Sequence, residues 1–401
     1  MRTFITSAQA LEIIRRSIRP LGPVSRTLEH ALGRVLVEDV RADADVPGFD
    51  NSSMDGFALA ADEDSPGLGD PYRVVGESVA GRPYAGSVGA GEAVRIMTGA
   101  KIPVGASAVI ELERVAESDG MIRLNFVPEV GRNIRRAGED LRRGTIALQR
   151  GLRLRPAHLG VLASLGRSSV AVAPAPRVAV VTTGSELVDP HGSLRDGQIF
   201  NSSAVVVPGM LREAGADVLS VRSIPDDENS LRSAFQDAAT SDLLITTGGV
   251  SVGAHDLVLD ILRSMGVDVL FWKVRIKPGL PLAFGQWPDG RPVICLPGNP
   301  VSTGVTFQQF VRPALDALEG ATTASTVVGT ARLEHEMRKS DGKRHFSRGI
   351  ASRRDGLWSV RTTGSQSSGM LSSLASANCL IIIPEEVERL SAGDIVEIQW
   401  L

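Results

Sequence analysis

Cysteine is scarce. Cys295 and Cys379 are the only two in 401 residues, far apart and outside any CxxC pair, so neither a disulfide framework nor a zinc site is indicated. Aromatic residues make up only 4%, which leaves few rings for base stacking. Lys plus Arg at 43 against Asp plus Glu at 46 gives a net charge of −3, so no basic surplus points to nucleic acid either. No apolar run approaches the roughly 18 residues of a membrane span; the longest candidates, such as Leu380 to Ile383, are strand-sized. Met1 to Leu21 carries Arg15, Arg16 and Arg19 but no secretory apolar core. Ser7 as N-cap with Ala10, Leu11, Ile13 and Ile14 behind it predicts an amphipathic helix there. Walker A and HExxH patterns are absent, and no two of the six histidines stand at i,i+4. A cytoplasmic protein without nucleic-acid or membrane partners is expected, and the length calls for two to four domains.

What is present centres on Asp242 to Asp256. Leu243 to Ile245 read as a short buried strand followed by Thr246-Thr247-Gly248-Gly249, then Ser251 and Gly253, and a helix beginning near Asp256. A strand, a Gly/Ser loop and a helix start can present backbone N–H groups to an anion. Asp256 beside it suits a divalent metal bridging phosphate oxygens. An ordinary β-to-α turn is the plainer alternative.

The rest of the chain supports this stretch. Val24 to Val37 contains a second helical stretch. Val46 to Phe57 is dense in Pro, Gly, Asn, Asp and Ser, which predicts an exposed loop of several turns. Tyr72 to Phe126 breaks into short β-rich runs and reads as a small mostly-β domain. Arg132 to Arg143 holds five arginines around Glu139 and Asp140, either a self-neutralising loop or an anion-facing strip. Ala173-Pro-Ala-Pro176 is a stiff linker. From Arg177 strands and helices alternate, predicting a parallel sheet with helices on both faces and a ligand beyond the carboxyl ends of its strands. Thr183-Gly184-Ser185-Glu186, Asp226 and Gly248 to Asp256 all fall at that edge. Trp272 to Gly279 places Lys273, Arg275 and Lys277 at alternate positions, one face if this is a strand, with a charge-guarded edge strand as the alternative. Pro297-Gly298-Asn299-Pro300 is a rigid turn before a helix with Ser302 near its start. Thr326 to Leu401 is β-rich again, with a small-residue loop at Gly364 to Met370 and a basic cluster of Arg338, Lys339, Lys343, Arg344 and Arg348. The residues alone thus describe a multi-domain α/β protein that binds an anionic small molecule, with Glu186, Asp226 and Asp256 suited to Mg²⁺.

Seven ordered segments are more specific: Phe49 to Phe57, Ile96 to Ala100, Ala137 to Asp140, Thr182 to Leu187, Thr247 to Gly253, Ile276 to Gly279 and Leu296 to Ser302. In that order they resemble the MoeA family, bacterial molybdopterin molybdenumtransferases related to the gephyrin E domain. The resemblance covers nearly the whole chain. It implies a central doubly wound parallel α/β domain (MogA-like), flanked by a helical/extended domain, a small mostly-β domain and a C-terminal β-barrel-like domain. The expected boundaries are 1–41 plus 143–174, 42–142, 175–319 and 320–401, with the first domain dimerising. The implied reaction is insertion of molybdate into adenylylated molybdopterin with Mg²⁺ and release of AMP, in a homodimer whose site is shared between subunits. Contact with the molybdopterin adenylyltransferase is a further implication.

Carried over residue by residue, the resemblance points to Asp55, Thr98, Asp140, Glu186, Asp226, Asp256, Lys273 and Lys277 as catalytic positions. Thr183, Gly184, Gly248, Gly249, Ser251, Gly253, Pro297, Gly298, Asn299, Pro300 and Ser302 would bind molybdopterin or nucleotide. Lys277, Arg348 and Ser368 would hold molybdate, and Glu186, Asp226 and Asp256 the metal, with Asp55 and Thr98 acting from the partner subunit. Leu280 departs from relatives that carry a second lysine there, and His255 departs in the glycine loop. A tungstate-inserting paralogue, the related adenylyltransferase and a non-catalytic scaffold are the rival readings.

Overall fold

Leu243–Thr247 is buried along its whole length because the largest sheet is built around it. In the computed structural model, which describes residues 1–61, 68–250, 257–323, 326–354 and 356–401, it pairs in parallel with Arg177–Thr183 on one side and Pro292–Leu296 on the other. Alternation sorts the side chains. Val178, Val180, Leu243, Ile245, Ile294 and Leu296 enter one core, and Ala179, Val181, Leu244, Val293 and Cys295 the other. Both faces are therefore apolar, as a strand covered by helices on both sides requires. Ser203–Glu213 covers the first face; Glu228–Asp237 and Leu257–Ser264 cover the second.

The chain falls into two units, one of residues 1–37, 151–154 and 171–401 and the other of 38–150 and 155–170. In the first, the seven-stranded sheet runs Arg2–Ile5, Asp268–Val274, Ala283–Gln286, Pro292–Leu296, Leu243–Thr247, Arg177–Thr183, Asp217–Ile224. The expectation of a purely parallel sheet needs correction: Ala283–Gln286 is antiparallel to both neighbours. The short connections to it leave no room for a crossover helix, so it can only pair antiparallel.

The N-terminus also departs from expectation. Arg2–Ile5 adds a parallel edge strand beside Asp268–Val274 before the helix Ser7–Ser17 begins. Thr6, not Ser7, caps that helix: its hydroxyl accepts from Gln9 N at 3.2 Å, and Gln9 Oε1 accepts from Thr6 N at 3.0 Å. Between Val24 and Val37 only Leu28–Ala31 is helical, following a strand at Val24–Thr27. The helix after Pro300 contains a π-helical turn at Phe307–Val311, just ahead of Pro313, whose missing N–H breaks the regular ladder.

Five strands near the C-terminus close into a ring, because Cys379–Ile383 pairs with both Ile395–Trp400 and Arg344–Arg354. Cys379 and Ile381 face the ring's interior while Leu380 and Ile382 join the central core. That double burial explains the uninterrupted apolar run. Ile276–Lys277 adds beside Arg344 and His345, outside the ring.

The second unit is organised on a six-stranded sheet containing Gly56–Leu59 between Ala108–Glu111 and Glu92–Ile96. A Cβ on Gly56 would lie 1.9 Å from the Ile110 carbonyl oxygen, so only glycine allows this pairing. The loop before it is less exposed than its composition predicts. Asn51 and Ser52 are buried and pair with Ile134–Arg135, while Phe49 and Met54 stay exposed.

Candidate functional site

The first unit gathers most of the expected residues at the carboxyl edge of its sheet. Thr183 ends one strand, and its hydroxyl donates to Asp226 Oδ1, which follows the neighbouring strand. Asp226 Oδ2 accepts from the Ser185 amide at 3.3 Å. Behind them Asn201, which sequence reasoning missed, donates to the hydroxyls of Thr182 (2.7 Å) and Ser223 (2.8 Å). The only sequence signal for Asn201 is its place just before the helix Ser203–Glu213. Gly248 adopts φ +85°, and a Cβ there would lie 2.2 Å from the Thr183 carbonyl oxygen. Its amide donates to the Leu296 carbonyl at 3.3 Å. A Cβ on Gly298 would in turn lie 3.4 Å from the Gly248 Cα. Three strand ends thus meet with no side chain between them, which leaves backbone as the floor of the edge.

The Pro297 to Pro300 turn is held from both sides. Thr303 Oγ1 donates to the Pro297 carbonyl at 2.6 Å, and Asn299 Nδ2 donates to Ser368 Oγ at 3.1 Å. The Val301 amide donates to the Ser368 carbonyl at 3.3 Å. Ser302 is buried, and its carbonyl accepts from Thr306. Arg348, at 1% exposure, lies beneath the loop that carries Ser368. Its Nε donates to Ser373 Oγ at 3.1 Å and its Nη2 to the carbonyls of Ser367 (3.0 Å) and Ser365 (3.4 Å). Burial alone pulls the guanidinium below its usual range. Its expected place is molybdate; here it orders the loop.

The three-cation face expected at Lys273, Arg275 and Lys277 does not form. Lys273 has φ +67°, which breaks the alternation, and its ammonium lies 3.8 Å from the Trp272 ring centroid and 5.5 Å from that of Phe4. The strand carrying it is interior to the sheet, so the edge-strand alternative fails for Lys273, while Lys277 does lie on an edge strand, Ile276–Lys277. Asp226 is five inter-strand steps from Lys273 along the edge, about 24 Å at ~4.8 Å each. Lys277 instead approaches Asp341, with 3.8 Å between Nζ and Oδ2. Lys343 Nζ stands 3.9 Å from the same oxygen, and His345 Nε2 lies 2.8 Å from Oδ1. Burial pushes the Asp341 carboxyl up, but the His345 hydrogen bond, the His345 charge and Lys343 outweigh it and hold it below its ordinary range. Burial, with Lys277 and Lys339 adding to it, holds His345 below its own despite Asp341. Asp341 was not legible as a site residue, because nothing near it in sequence announces Lys277.

In the second unit Asp55 and Thr98 meet: Asp55 Oδ1 accepts from the Thr98 amide at 2.7 Å and its hydroxyl at 2.9 Å. The amide bond, then the hydroxyl bond, lowers the Asp55 pKa. Asp140 is exposed and fixed through its backbone, its amide donating to the Val46 carbonyl at 3.0 Å. In the arginine strip, Arg132 pairs with Glu111 and Arg136 with Asp50, both at 2.7 Å. Carboxylates outside the strip do the neutralising. Asp256, Ser251, Gly253 and His255 lie outside the described residues.

Among the described residues no three His, Cys, Asp or Glu side chains cluster as a metal site. Asp226 and Glu186 nevertheless flank the same Thr183-Gly184-Ser185 turn; a Cβ on Gly184 would stand 2.8 Å from Glu186 Oε2. Two carboxylates beside a backbone floor fit Mg²⁺, which keeps waters and takes one or two carboxylates plus substrate oxygens.

Comparison with known proteins covers the chain end to end. Residues 5–166 match the family model described as MoeA N-terminal region (domain I and II), 179–317 a probable molybdopterin binding domain, and 330–401 the MoeA C-terminal region (domain IV). The molybdopterin molybdenumtransferase of Haemophilus influenzae is 38% identical over 381 residues, covering 93% of this chain and 92% of that one. Molybdopterin molybdenumtransferase 2 of Mycobacterium tuberculosis is 37% identical over 396 residues, covering 96% and 97%. The crystal structure of the molybdopterin biosynthesis moeA protein from Pyrococcus horikoshii matches at a TM-score of 0.85 and 29% identity, covering 99% of this chain and 100% of that one.

Proposed function

The chain belongs to the MoeA family, and from that premise we propose that it is a molybdopterin molybdenumtransferase, inserting molybdate into adenylylated molybdopterin with release of AMP. The observation that carries the reading is the meeting of Thr183–Asp226, Gly248 and the Pro297–Pro300 turn with Ser368 at one sheet edge. Backbone amides and glycines there give phosphate oxygens close approach. Asn299 and Ser368, locked together, orient the oxyanion end, and Arg348 keeps their loop in place from below. Lys277 supplies a cation for molybdate, a tetrahedral dianion.

Asp226 and Glu186, joined by Asp256, would hold Mg²⁺, which when bound polarises an anhydride oxygen for cleavage. Thr183 and the Ser185 amide keep the Asp226 carboxylate turned to the edge. The same reading includes a homodimer in which Asp55 and Thr98 act from the partner subunit, the four-domain boundaries at 1–41 plus 143–174, 42–142, 175–319 and 320–401, a cytoplasmic location and contact with the adenylyltransferase. No described helix is long and apolar enough to cross a membrane.

The test is AMP release from adenylylated molybdopterin with Mg²⁺ and molybdate, for wild type, Asp226→Asn and Asp256→Asn. Molybdate-dependent release that falls about 100-fold or more in the variants is expected. A well-folded wild type that releases no AMP with molybdate sinks the proposal; release with tungstate alone would favour the tungstate-inserting paralogue.

A further inference from the structure

Lys277 reaches the outside of the C-terminal ring through its pairing with His345, and there it enters a group with an uneven charge count. Lys277 and Lys343 face the carboxylate of Asp341, Lys339 adds its charge at His345 beside it, and Glu385 is already paired with Arg344 at 3.1 Å. Lys339, at 8% exposure, donates to the carbonyls of Lys343 and Glu385, both at 2.8 Å, and among the described residues its ammonium pairs with no carboxylate. The seam carries a surplus of positive charge held in place by backbone.

Asp341 only partly satisfies that surplus. Its Oδ1 is fixed by His345 at 2.8 Å and by the Lys343 amide at 3.3 Å. Its Oδ2 faces the ammonium groups of Lys277 and Lys343 at 3.8 and 3.9 Å, ion-pair distances too long for a hydrogen bond. Lys277 is 58% exposed and free to turn. One carboxylate oxygen thus occupies, from inside the protein, the position that an oxyanion would take between two lysines.

We propose that Asp341 is a built-in competitor for the oxyanion that Lys277 receives: it neutralises Lys277 and Lys343 in the free protein and loses both lysines to a dianion when one binds. The inference rests on the reading of Lys277 as a molybdate contact. A dianion outcompetes a single carboxylate for two cations, and the pull of the carboxylate on the lysines favours release of the bound anion. His345 and the Lys343 amide keep Asp341 in place throughout, so the exchange needs only the lysine side chains to move.

The test is calorimetric titration of the full chain with sodium molybdate alone, for wild type, Asp341→Asn, Lys277→Met and the double variant, each checked for an unchanged thermal midpoint. Asn retains an acceptor for His345 while removing the competing charge; Asp341→Ser serves as the second variant if Asn perturbs folding. Asp341→Asn binding molybdate roughly three- to tenfold more tightly, with Lys277→Met weakening binding and the double variant following it, is the expected result. A gain in affinity separates competition from a merely structural role, which could only lose it. If Lys277→Met weakens binding but Asp341→Asn leaves it equal or weaker, the competitor is overturned and the Lys277 reading stands. If Lys277→Met binds as wild type, that reading fails and takes this inference with it.

Discussion

Glu111 and Arg132 form an ion pair that carries a sharp prediction at the residue scale. The Arg132 hydrogen bond, working against burial, draws the Glu111 carboxyl from its ordinary 4.5 to about 2. A carboxyl depressed in the folded state stabilises fully above its unfolded pKa, and that contribution disappears as pH falls through the folded one. Glu111→Gln should therefore cost about 1 kcal/mol at neutral pH, and the gap to wild type should narrow between 4.5 and about 2. Urea midpoints at pH 7 and pH 3 measure it. A gap that stays constant with pH would mean the pair contributes by packing instead. The residue types of this pair were visible in sequence, but the arginine strip offered Glu139 and Asp140 as nearer counterions. The fold chose a carboxylate 21 positions away, because Ala108–Glu111 and the loop at Arg132 run side by side.

Among elements, the glycine loop after Leu243–Thr247 carries the clearest prediction. Gly248 stands at φ +85° with the Thr183 carbonyl 2.2 Å from where a Cβ would go. Gly248→Ala must therefore push the loop off the neighbouring strand end, costing about 1–3 kcal/mol. AMP release should drop about tenfold or more as the three strand ends separate. Thermal unfolding and the release assay read the two effects independently; normal activity at a lowered midpoint would show that the backbone floor is not needed for the reaction. The existence of this strand and loop was legible from Leu243 to Gly249. The antiparallel strand Ala283–Gln286 and the π-helical turn at Phe307–Val311 were not, because both depend on what the segment packs against.

At the scale of the whole molecule, Arg153 joins distant parts of one unit. Its Nη2 contacts Asp316 at 2.9 Å and Glu319 at 2.6 Å, while Nη1 donates to the Gly33 carbonyl at 2.8 Å. Glu319 is 2% exposed, and burial pushes its carboxyl up despite Arg153. Arg34 stands farther off, at 3.6 Å from Glu319. Arg153→Met leaves that carboxylate buried with a weaker partner and should cost about 3 kcal/mol. Adding Glu319→Gln should recover part of the loss in a double-mutant cycle. Additive losses would mean the two side chains do not act as one clasp.

The sequence by itself determined what depends on near neighbours. Short unbroken apolar runs specified Arg177–Thr183, Leu243–Thr247 and Pro292–Leu296, and the turn residues at Gly248 and Pro297 to Pro300 marked where those strands end. Seven ordered motifs were enough to point to the family. Only the tertiary structure decided which side chains meet: Thr183 with Asp226 across 43 positions, Asn299 with Ser368 across 69, and Lys277 with Asp341 rather than with Lys273. Periodicity and turn chemistry act over a few residues and can be read locally. A hydrogen bond or ion pair between distant segments exists only after the sheet order, the strand register and the closure of the C-terminal ring have brought its partners together.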